Sequence, residues 1–239
     1  MYTLCYHANM KVSTARCNDL ITIGDDRFQV KLHSDFIPRP GQFMLARFWT
    51  STYPYLNTVV FPTTTESDGF TLEIKSDHPQ SVDLSPGAKV DLIGPCGQPV
   101  IINRSANHLL LVAHNSPSKL LPFAQLALER GVDVTLLVSC SYPLESLDPR
   151  IEVHQGELPP LLENHFAWAE QVLMDFRPEP IIHKLLDSIS SNTYVLCGTL
   201  FPCGVGACHG CTIYTKTGWK LACKQGPFFQ LSELHIEVE

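Results

Sequence analysis

The sequence predicts three consecutive parts: a small antiparallel β-barrel, a parallel-sheet α/β unit that resembles a nucleotide-binding domain, and a C-terminal segment organised by an iron–sulfur cluster. Three observations support this prediction. Short β-branched runs fill the first part, strands alternate with helical patterns in the second, and four cysteines stand close together in the third. We expect the boundaries at residues 1–103, 104–198 and 199–239.

The composition is that of an ordinary globular protein, with 239 residues of which 44% are hydrophobic and 17% are charged. The net charge is −7 and Lys and Arg form no run, so nucleic-acid binding is not expected. No apolar run reaches the length of a membrane span. The opening MYTLCYHANM lacks the charged and apolar regions of a secretory signal, so we expect a cytoplasmic protein.

Residues 1–103 are expected to form the antiparallel barrel. Short apolar runs are separated by turn-forming groups such as Ser67-Asp68-Gly69 and Ser85-Pro86-Gly87. The predicted strands are DLITIG, RFQVKLHS, FMLARFWT, LNTVVFPT, GFTLEIKS and AKVDLIGP.

Residues 104–198 alternate between strand and helix patterns. HLLLVA is continuously apolar, as expected of a strand that is buried on both faces. Ser116 and Pro117 then supply an N-cap and a first-turn proline for a helix over SKLLPFAQLALER, which Gly131 ends. The strand-like runs VDVTLLVS, IEVHQG, QVLMDF and TYVLCG, with the helical runs LPPLLENHFA and PEPIIHKLLDSI among them, predict βαβ units and a parallel sheet.

The third part contains Cys203, Cys208, Cys211 and Cys223 in the spacing C-x4-C-x2-C-x11-C. The first three positions have the spacing of plant-type [2Fe–2S] ferredoxins, and four thiolates are the ligand set of such a cluster. The residues between them are mostly glycine and alanine, which allow the backbone to fold closely around a bound group. We therefore predict a [2Fe–2S] cluster on these four cysteines.

Two other interpretations of these cysteines are open. Four thiolates also suit Zn²⁺, although zinc sites usually have two C-x2-C pairs and this segment has one. A disulfide framework agrees poorly with an odd total of nine cysteines and with the absence of a secretory signal. The remaining five cysteines are interpreted as small buried apolar residues: Cys5, Cys17, Cys96, Cys140 and Cys197.

The order of the three parts resembles the electron-transfer subunit of dihydroorotate dehydrogenase, a branch of the ferredoxin–NADP⁺ reductase superfamily. The segment CGVGACHGC, with the later Cys223 and Gly226-Pro227, is very similar to the cluster loop of that family. Pro40-Gly41-Gln42-Phe43 looks like its PGQF turn, and Pro86-Gly87 with Asp91 to Gly97 looks like its PGD…GPLG stretch. Pro178-Glu179-Pro180 resembles the end of its CGPEPM motif.

In that family, electrons pass from NADH to FAD, through a [2Fe–2S] cluster, to FMN in a partner catalytic subunit. For this chain the resemblance implies electron transport in pyrimidine biosynthesis, within a hetero-oligomer that contains a flavoprotein. It also implies FAD as a second cofactor, with Thr58 and Ser81 at the positions of the flavin-contacting hydroxyls.

The nucleotide-contact motifs depart from the family pattern. Tyr55 stands where the flavin strand has an arginine, and His78-Pro79-Gln80-Ser81 replaces a glycine-rich flavin turn. His114-Asn115-Ser116-Pro117 replaces the glycine loop that brings backbone N–H groups to a phosphate, and Phe176-Arg177 replaces a Cys-Gly pair. We therefore predict that NADH is not the direct electron donor.

These features favour an electron-transfer subunit that has no catalytic residues of its own. A complete NADH–FAD–cluster reductase is the first alternative, and a structural pseudo-reductase subunit is the second. The aromatic residues near Cys223 are expected to pack the C-terminal segment, with a partner surface as the alternative role; they are Trp219, Phe228 and Phe229.

Overall fold

The computed structural model describes residues 11–48, 56–76, 84–114, 116–139, 141–198 and 201–235. Within these ranges the strands form a seven-stranded sheet, a six-stranded sheet and a two-stranded hairpin.

The first sheet is entirely antiparallel, in the order β4-β3-β7-β1-β2-β6-β5. β4 and β5 lie at opposite edges although Phe61 alone separates them along the chain, so the sheet must curl until its edges approach each other. This curled half-barrel confirms the predicted antiparallel β class of the first part. Its strands are β1 (Lys11–Ile23), β2 (Arg27–His33), β3 (Phe43–Phe48), β4 (Thr58–Val60), β5 (Pro62–Glu66), β6 (Gly69–Lys75) and β7 (Lys89–Cys96).

Two strand predictions in this sheet are wrong in detail. The run LNTVVFPT forms two strands rather than one, because the chain crosses from one sheet edge to the other at Phe61. β1 begins at Lys11, well before the predicted run DLITIG. Ala15 and Cys17 of β1 are buried while their neighbours are exposed, and such an alternation carries less apolar signal than a continuous run.

The second sheet has the order β10-β9-β8-β11-β12-β15 and is parallel except for its last strand. This arrangement confirms the predicted α/β unit. Its parallel strands are β8 (His108–Ala113), β9 (Asp133–Val138), β10 (Glu152–Gln155), β11 (Gln171–Met174) and β12 (Thr193–Leu196). The helices α1 (Leu121–Glu129), α2 (Leu158–His165) and α3 (Pro180–Leu186) connect them.

The helix predicted after β8 begins with a tighter turn than expected. Pro117–Lys119 form a 3₁₀ turn, capped by the Ser116 hydroxyl, which accepts a hydrogen bond from the Ser118 N–H at 3.3 Å. The α-helix proper starts only at Leu121. Gly131 ends it with φ of +74°, as predicted from its position.

The C-terminal residues complete the second sheet. They form the hairpin β13 (Thr212–Thr215) and β14 (Gly218–Leu221), the short helix α4 (Ala222–Gln225) and the strand β15 (Phe228–Gln230). β15 pairs antiparallel with β12 and so extends the edge of the parallel sheet. The three domain boundaries stay a prediction. Within the described ranges, no helix has the length and apolar character that crossing a membrane requires.

A buried polar network joins the two sheets at Glu73 on β6. Its carboxylate pairs with Arg27 Nη1 at 2.5 Å, and the two side chains are 4% and 7% exposed. The same carboxylate accepts hydrogen bonds from the Tyr142 hydroxyl at 2.7 Å and from the Ser116 hydroxyl at 3.0 Å. Burial and the Glu73 charge raise the pKa of Tyr142, so this hydroxyl stays a donor. The loop before α1 is therefore fastened to the first sheet.

Candidate iron–sulfur centre

The four predicted ligands lie in two pairs at the end of the parallel sheet. In the first pair, the Cys208 N–H donates to Cys203 Sγ at 3.4 Å. In the second pair, the Cys223 N–H donates to Cys211 Sγ at 3.4 Å. Cys211 and Cys223 are buried, whereas Cys208 is exposed, so one pair faces the interior and the other faces solvent.

This pairing fits a [2Fe–2S] cluster better than a single Zn²⁺ ion. Each iron of such a cluster takes two protein ligands, whereas structural zinc takes four around one point. Two neighbouring pairs, with Cys203 close enough to act electrostatically on Cys223, match the requirement of two irons.

Backbone N–H groups are directed at the sulfur atoms. Burial disfavours a thiolate at Cys203, but hydrogen bonds from the N–H groups of Cys208, Val205 and Ala207 outweigh it and lower the pKa of this thiol to about 6. The Gly210 N–H donates to Cys208 Sγ at 3.4 Å. Such donors stabilise thiolate charge and tune a bound cluster.

The inner pair has the opposite electrostatic character. Burial raises the pKa of Cys223, and the adjacent Cys211 raises it further, although a hydrogen bond from the Gly206 N–H opposes this. Two buried thiolates repel each other unless a cation lies between them. A metal ligated by both would relieve this repulsion, because a coordinating thiol is deprotonated outright.

Glycine is required at two positions of the loop. Gly204 has φ of +62°, and a Cβ there would lie 2.6 Å from Cδ1 of Leu45 on β3. Gly206 has φ of +78°, and its Cβ would lie 2.3 Å from Cδ of Lys224. The loop therefore takes backbone conformations that L-residues disfavour and lies directly on the first sheet.

The segments that resemble the PGQF and GPLG landmarks support the cluster region. The Gln42 side chain donates to the Gly97 carbonyl at 3.1 Å. The next residue, Gln98, donates its backbone N–H to the Gly226 carbonyl at 2.5 Å and its side-chain amide to the Lys224 carbonyl at 2.9 Å. These bonds connect the end of β7 to the chain that follows Cys223.

Aromatic side chains also pack beside the first ligand pair, Cys203 and Cys208. The Phe201 ring stacks on Phe43 with centroids 4.7 Å apart, and Phe43 contacts Phe61 at 5.7 Å. Cys96 is also near this side, since burial and the neighbouring Cys203 raise its pKa to about 12. The sequence marked Cys96 only as a small buried residue and gave no signal of its proximity to the loop.

The other cysteines and the flanking aromatics can now be assigned. Cys17, Cys96 and Cys197 are buried, as predicted, while Cys5 and Cys140 lie outside the described residues. Phe228 and Phe229 pack in the core on β15, which confirms the packing interpretation for these two rings. Trp219 is 71% exposed on the hairpin, so that interpretation is wrong for Trp219.

The predicted flavin residue Thr58 lines a cavity of about 270 Å³ between β4, β6 and the turn before α1. Ser81 lies outside the described residues. Lys119 also lines this cavity, and its ammonium lies 5.7 Å from the centroid of the Phe61 ring. Burial lowers the pKa of Lys119, and Asp175 partly offsets this effect. The cavity is thus lined by a hydroxyl and by two lysines, Lys75 and Lys119, together with the carboxylate of Glu73, and sequence reasoning missed these charged residues.

In the described part of the loop at the predicted nicotinamide position, two backbone N–H groups already have acceptors within the protein. The His114 N–H already donates to Asp175 Oδ1 at 2.8 Å, and the Ser118 N–H donates to the Ser116 hydroxyl. Pro117 has no N–H. These bonds agree with the prediction that NADH is not the direct donor, which remains a prediction.

Comparisons with known proteins agree with this geometry. Residues 193–235 match the family model of the iron-sulfur cluster binding domain of dihydroorotate dehydrogenase B. The whole fold is similar to a solved NADH-dependent reduced ferredoxin-NADP oxidoreductase, with a TM-score of 0.70, 18% identity, and coverage of 93% of this chain and 90% of that one. A ferredoxin reductase of carbazole 1,9a-dioxygenase gives a TM-score of 0.60 at 16% identity, covering 78% and 67%. Together they define a protein with the ferredoxin reductase fold and a C-terminal iron–sulfur binding domain.

The sequence comparison finds a relative that matches almost the whole chain. The chain is 24% identical over 243 residues to the electron transfer subunit of dihydroorotate dehydrogenase B (NAD⁺) from Clostridium acetobutylicum, covering 94% of this chain and 97% of that protein. The resemblance seen in the motifs is thereby confirmed: the chain is similar to this electron transfer subunit along almost its whole length.

Proposed function

We propose that this chain is the electron-transfer subunit of an oxidoreductase and relays electrons through a [2Fe–2S] cluster held by Cys203, Cys208, Cys211 and Cys223. The observation that carries the proposal is the arrangement of these thiols in two pairs, with backbone N–H groups directed at their sulfur atoms. The cluster supplies one-electron redox chemistry, and the protein supplies its position and its electrostatic surroundings.

The surroundings of the two pairs differ in a way that suits a relay. Cys211 and Cys223 are covered by protein, which excludes water from the inner side of the centre. Residues 207–210 are exposed, so the outer side can be approached closely by another redox protein. We expect electrons to cross to or from the partner at this exposed loop.

The proposed partner is a flavoprotein resembling the dihydroorotate dehydrogenase catalytic subunit, in a hetero-oligomer. Trp219 and Tyr214 are exposed beside each other on the hairpin that separates Cys211 from Cys223, with ring centroids 4.8 Å apart. Exposed aromatic side chains are frequent anchors of protein interfaces. A stable complex would bury on the order of 1,600 Å² or more.

We propose a cytoplasmic location for this complex, because the three described cysteines outside the predicted ligand set, Cys17, Cys96 and Cys197, are free thiols, as expected in a reducing compartment. FAD is the second cofactor that the fold suggests. Thr58 and Lys119 would hold it from the described side of the cavity, with Ser81 as the predicted further contact.

Iron analysis and spectroscopy of the anaerobically purified chain test the proposal. We expect about two irons per chain and, after reduction, the EPR signal of a [2Fe–2S] centre. Replacing any of the four ligand cysteines by serine should abolish the cluster or shift its spectrum. Cys17→Ser is the matched control for Cys223→Ser, since both side chains are 1% exposed but Cys17 lies on β1. Stoichiometric zinc without iron would contradict the proposal and favour the structural-subunit alternative.

The same absorption spectrum separates the electron relay from the complete reductase. A flavin band in addition to the cluster would establish FAD in the purified chain. Crosslinking of the native complex should join residues 207–210 to a redox partner. A native chain that remains monomeric, with no redox partner near this loop, would contradict the relay.

A further inference from the structure

A cavity of about 420 Å³ adjoins the inner ligand pair. It lies between the end of β12, the cluster loop and the start of β13, and its wall includes Cys211, Cys197 and Thr212. Arg177, which follows β11, also lines this cavity. Among the described residues of its lining, Arg177 alone carries a formal charge.

The C-terminal segment holds the Arg177 guanidinium in place. Arg177 Nη2 donates to the carbonyl of His235, and the His235 ring stacks on Tyr214 with centroids 4.8 Å apart and planes within 7°. The segment is itself attached to the hairpin, since the Lys216 N–H donates to the Glu233 carbonyl at 2.9 Å. The cation is therefore fixed relative to the strand that follows Cys211.

The positive charge of Arg177 acts on a thiol in the wall of this cavity. Burial raises the pKa of Cys197 to about 12, and the charge of Arg177 acts against this rise. Cys197 and Cys211 line the same cavity, so the cation that stabilises negative charge at the first thiol is also near the second.

We propose that the positive charge of Arg177 raises the reduction potential of the iron–sulfur centre. This inference rests on the proposed function. One-electron reduction adds one negative charge to the centre, and a fixed cation beside it stabilises the reduced form more than the oxidised form. Because Arg177 is exposed, solvent and salt reduce the effect without cancelling it.

The test is a dye-mediated potentiometric titration of the cluster-loaded full-length chain, followed by visible absorption and EPR. Arg177→Gln removes the charge but keeps a hydrogen-bond donor, and Arg177→Lys keeps the charge. Arg130→Gln is the matched control. Arg130 is exposed and its guanidinium donates to the Ile102 carbonyl at 3.5 Å, but it precedes β9, at the opposite end of the parallel sheet.

We expect the Gln variant at position 177 to have a more negative midpoint potential than the wild type, and the other two variants to match the wild type. The difference should shrink between about 0.01 M and about 1 M salt, as the screening length falls from about 30 Å to about 3 Å. Equal potentials for Arg177→Gln and wild type at low salt would overturn the inference. So would an equal loss in Arg177→Lys and Arg177→Gln, since that would assign the effect to the hydrogen bond.

A third variant at position 177 tests the charge by changing the pH of a single protein. In Arg177→His the charge disappears as the pH rises through about 6.5. The potential of this variant should fall relative to that of the wild type over the same pH range, and parallel pH profiles would overturn the inference. A wild type that contains no iron would instead contradict the proposed function, which keeps the two failures distinct.

Discussion

The network around Glu73 allows a quantitative prediction about the junction of the two sheets. Replacing Glu73 by alanine removes the carboxylate that pairs with Arg27 and accepts hydrogen bonds from Tyr142 and Ser116. Arg27 would remain as a buried cation, because its side chain is 7% exposed. None of the four cluster cysteines is altered, so stability and cluster binding can be measured separately.

The expected destabilisation follows from burial. Removing one partner of a buried ion pair costs about 3–5 kcal/mol, and the contact that Arg27 keeps with Asp26 at 3.3 Å offsets only part of this, because Asp26 is 61% exposed. Glu66 offers a matched control on the same sheet. It pairs with Lys31 at 2.7 Å, but the two side chains are 48% and 41% exposed, and such a surface pair contributes about 0–1 kcal/mol.

Urea unfolding followed by circular dichroism measures both effects. We expect Glu73→Ala to lower the free energy of unfolding by several times the effect of Glu66→Ala, with unchanged iron content. The double variant Arg27→Met/Glu73→Leu should be less destabilised than the sum of its single changes, since it leaves no unpaired buried charge. Equal effects of Glu73→Ala and Glu66→Ala would refute the assigned role of the network.

Four further predictions concern the electron donor, the core, the loop and the pH dependence. Anaerobic addition of stoichiometric NADH to the isolated chain should leave the cluster oxidised, and rapid bleaching would favour the complete reductase. Phe228 is buried and Trp219 is exposed, so in urea unfolding Phe228→Ala should lower the free energy of unfolding by about 3–5 kcal/mol and Trp219→Ala should change it by less than about 0.5 kcal/mol. Similar values for the two variants would contradict this difference in burial. Gly204→Ala should reduce the iron content per chain, because positive φ costs about 1–2 kcal/mol and the new Cβ would displace Leu45; wild-type iron content would argue against this contact. Two backbone N–H groups lower the pKa of Glu170 in the folded state. The ionised carboxylate therefore stabilises the folded protein at pH values above the pKa that Glu170 has in the unfolded chain. This stabilisation is lost as the pH falls through the lower pKa of Glu170 in the folded state. The difference in thermal midpoint between wild type and Glu170→Gln should therefore vanish in acid, and a difference independent of pH would contradict this reasoning.

The shape of the exposed cluster loop has a consequence for how a partner is recognised. His209 takes φ of +59° between two predicted ligands and is exposed. The approach to the outer pair is therefore formed by a short turn of small residues with one imidazole at its tip. The hairpin of β13 and β14, which carries Tyr214 and Trp219, follows this loop in the sequence, and Arg177 lines the cavity beside Cys211.

The sequence alone determined the features that depend on local order. The spacing of the four cysteines predicted the kind of centre, because three ligands of a plant-type cluster come from one continuous loop. Apolar runs predicted β8, β9, β11 and β12 of the parallel sheet, since burial on both faces leaves a continuous signal, whereas the more polar edge strand β10 was predicted from the alternation of strand and helix patterns. Ser116 and Gly131 likewise marked the ends of the helical region through capping chemistry that acts within a few residues.

Only the tertiary structure decided which distant residues meet. The pairing of Cys211 with Cys223, the attachment of Gln98 to the chain after the cluster, and the network at Glu73 join residues that the sequence separates widely. It also decided that Phe228 is buried while Trp219 is exposed, because β15 adds to the parallel sheet and the hairpin projects into solvent. A local pattern specifies the conformation of its own segment, but these contacts depend on how the chain brings its segments together, and no residue type reports its remote neighbour.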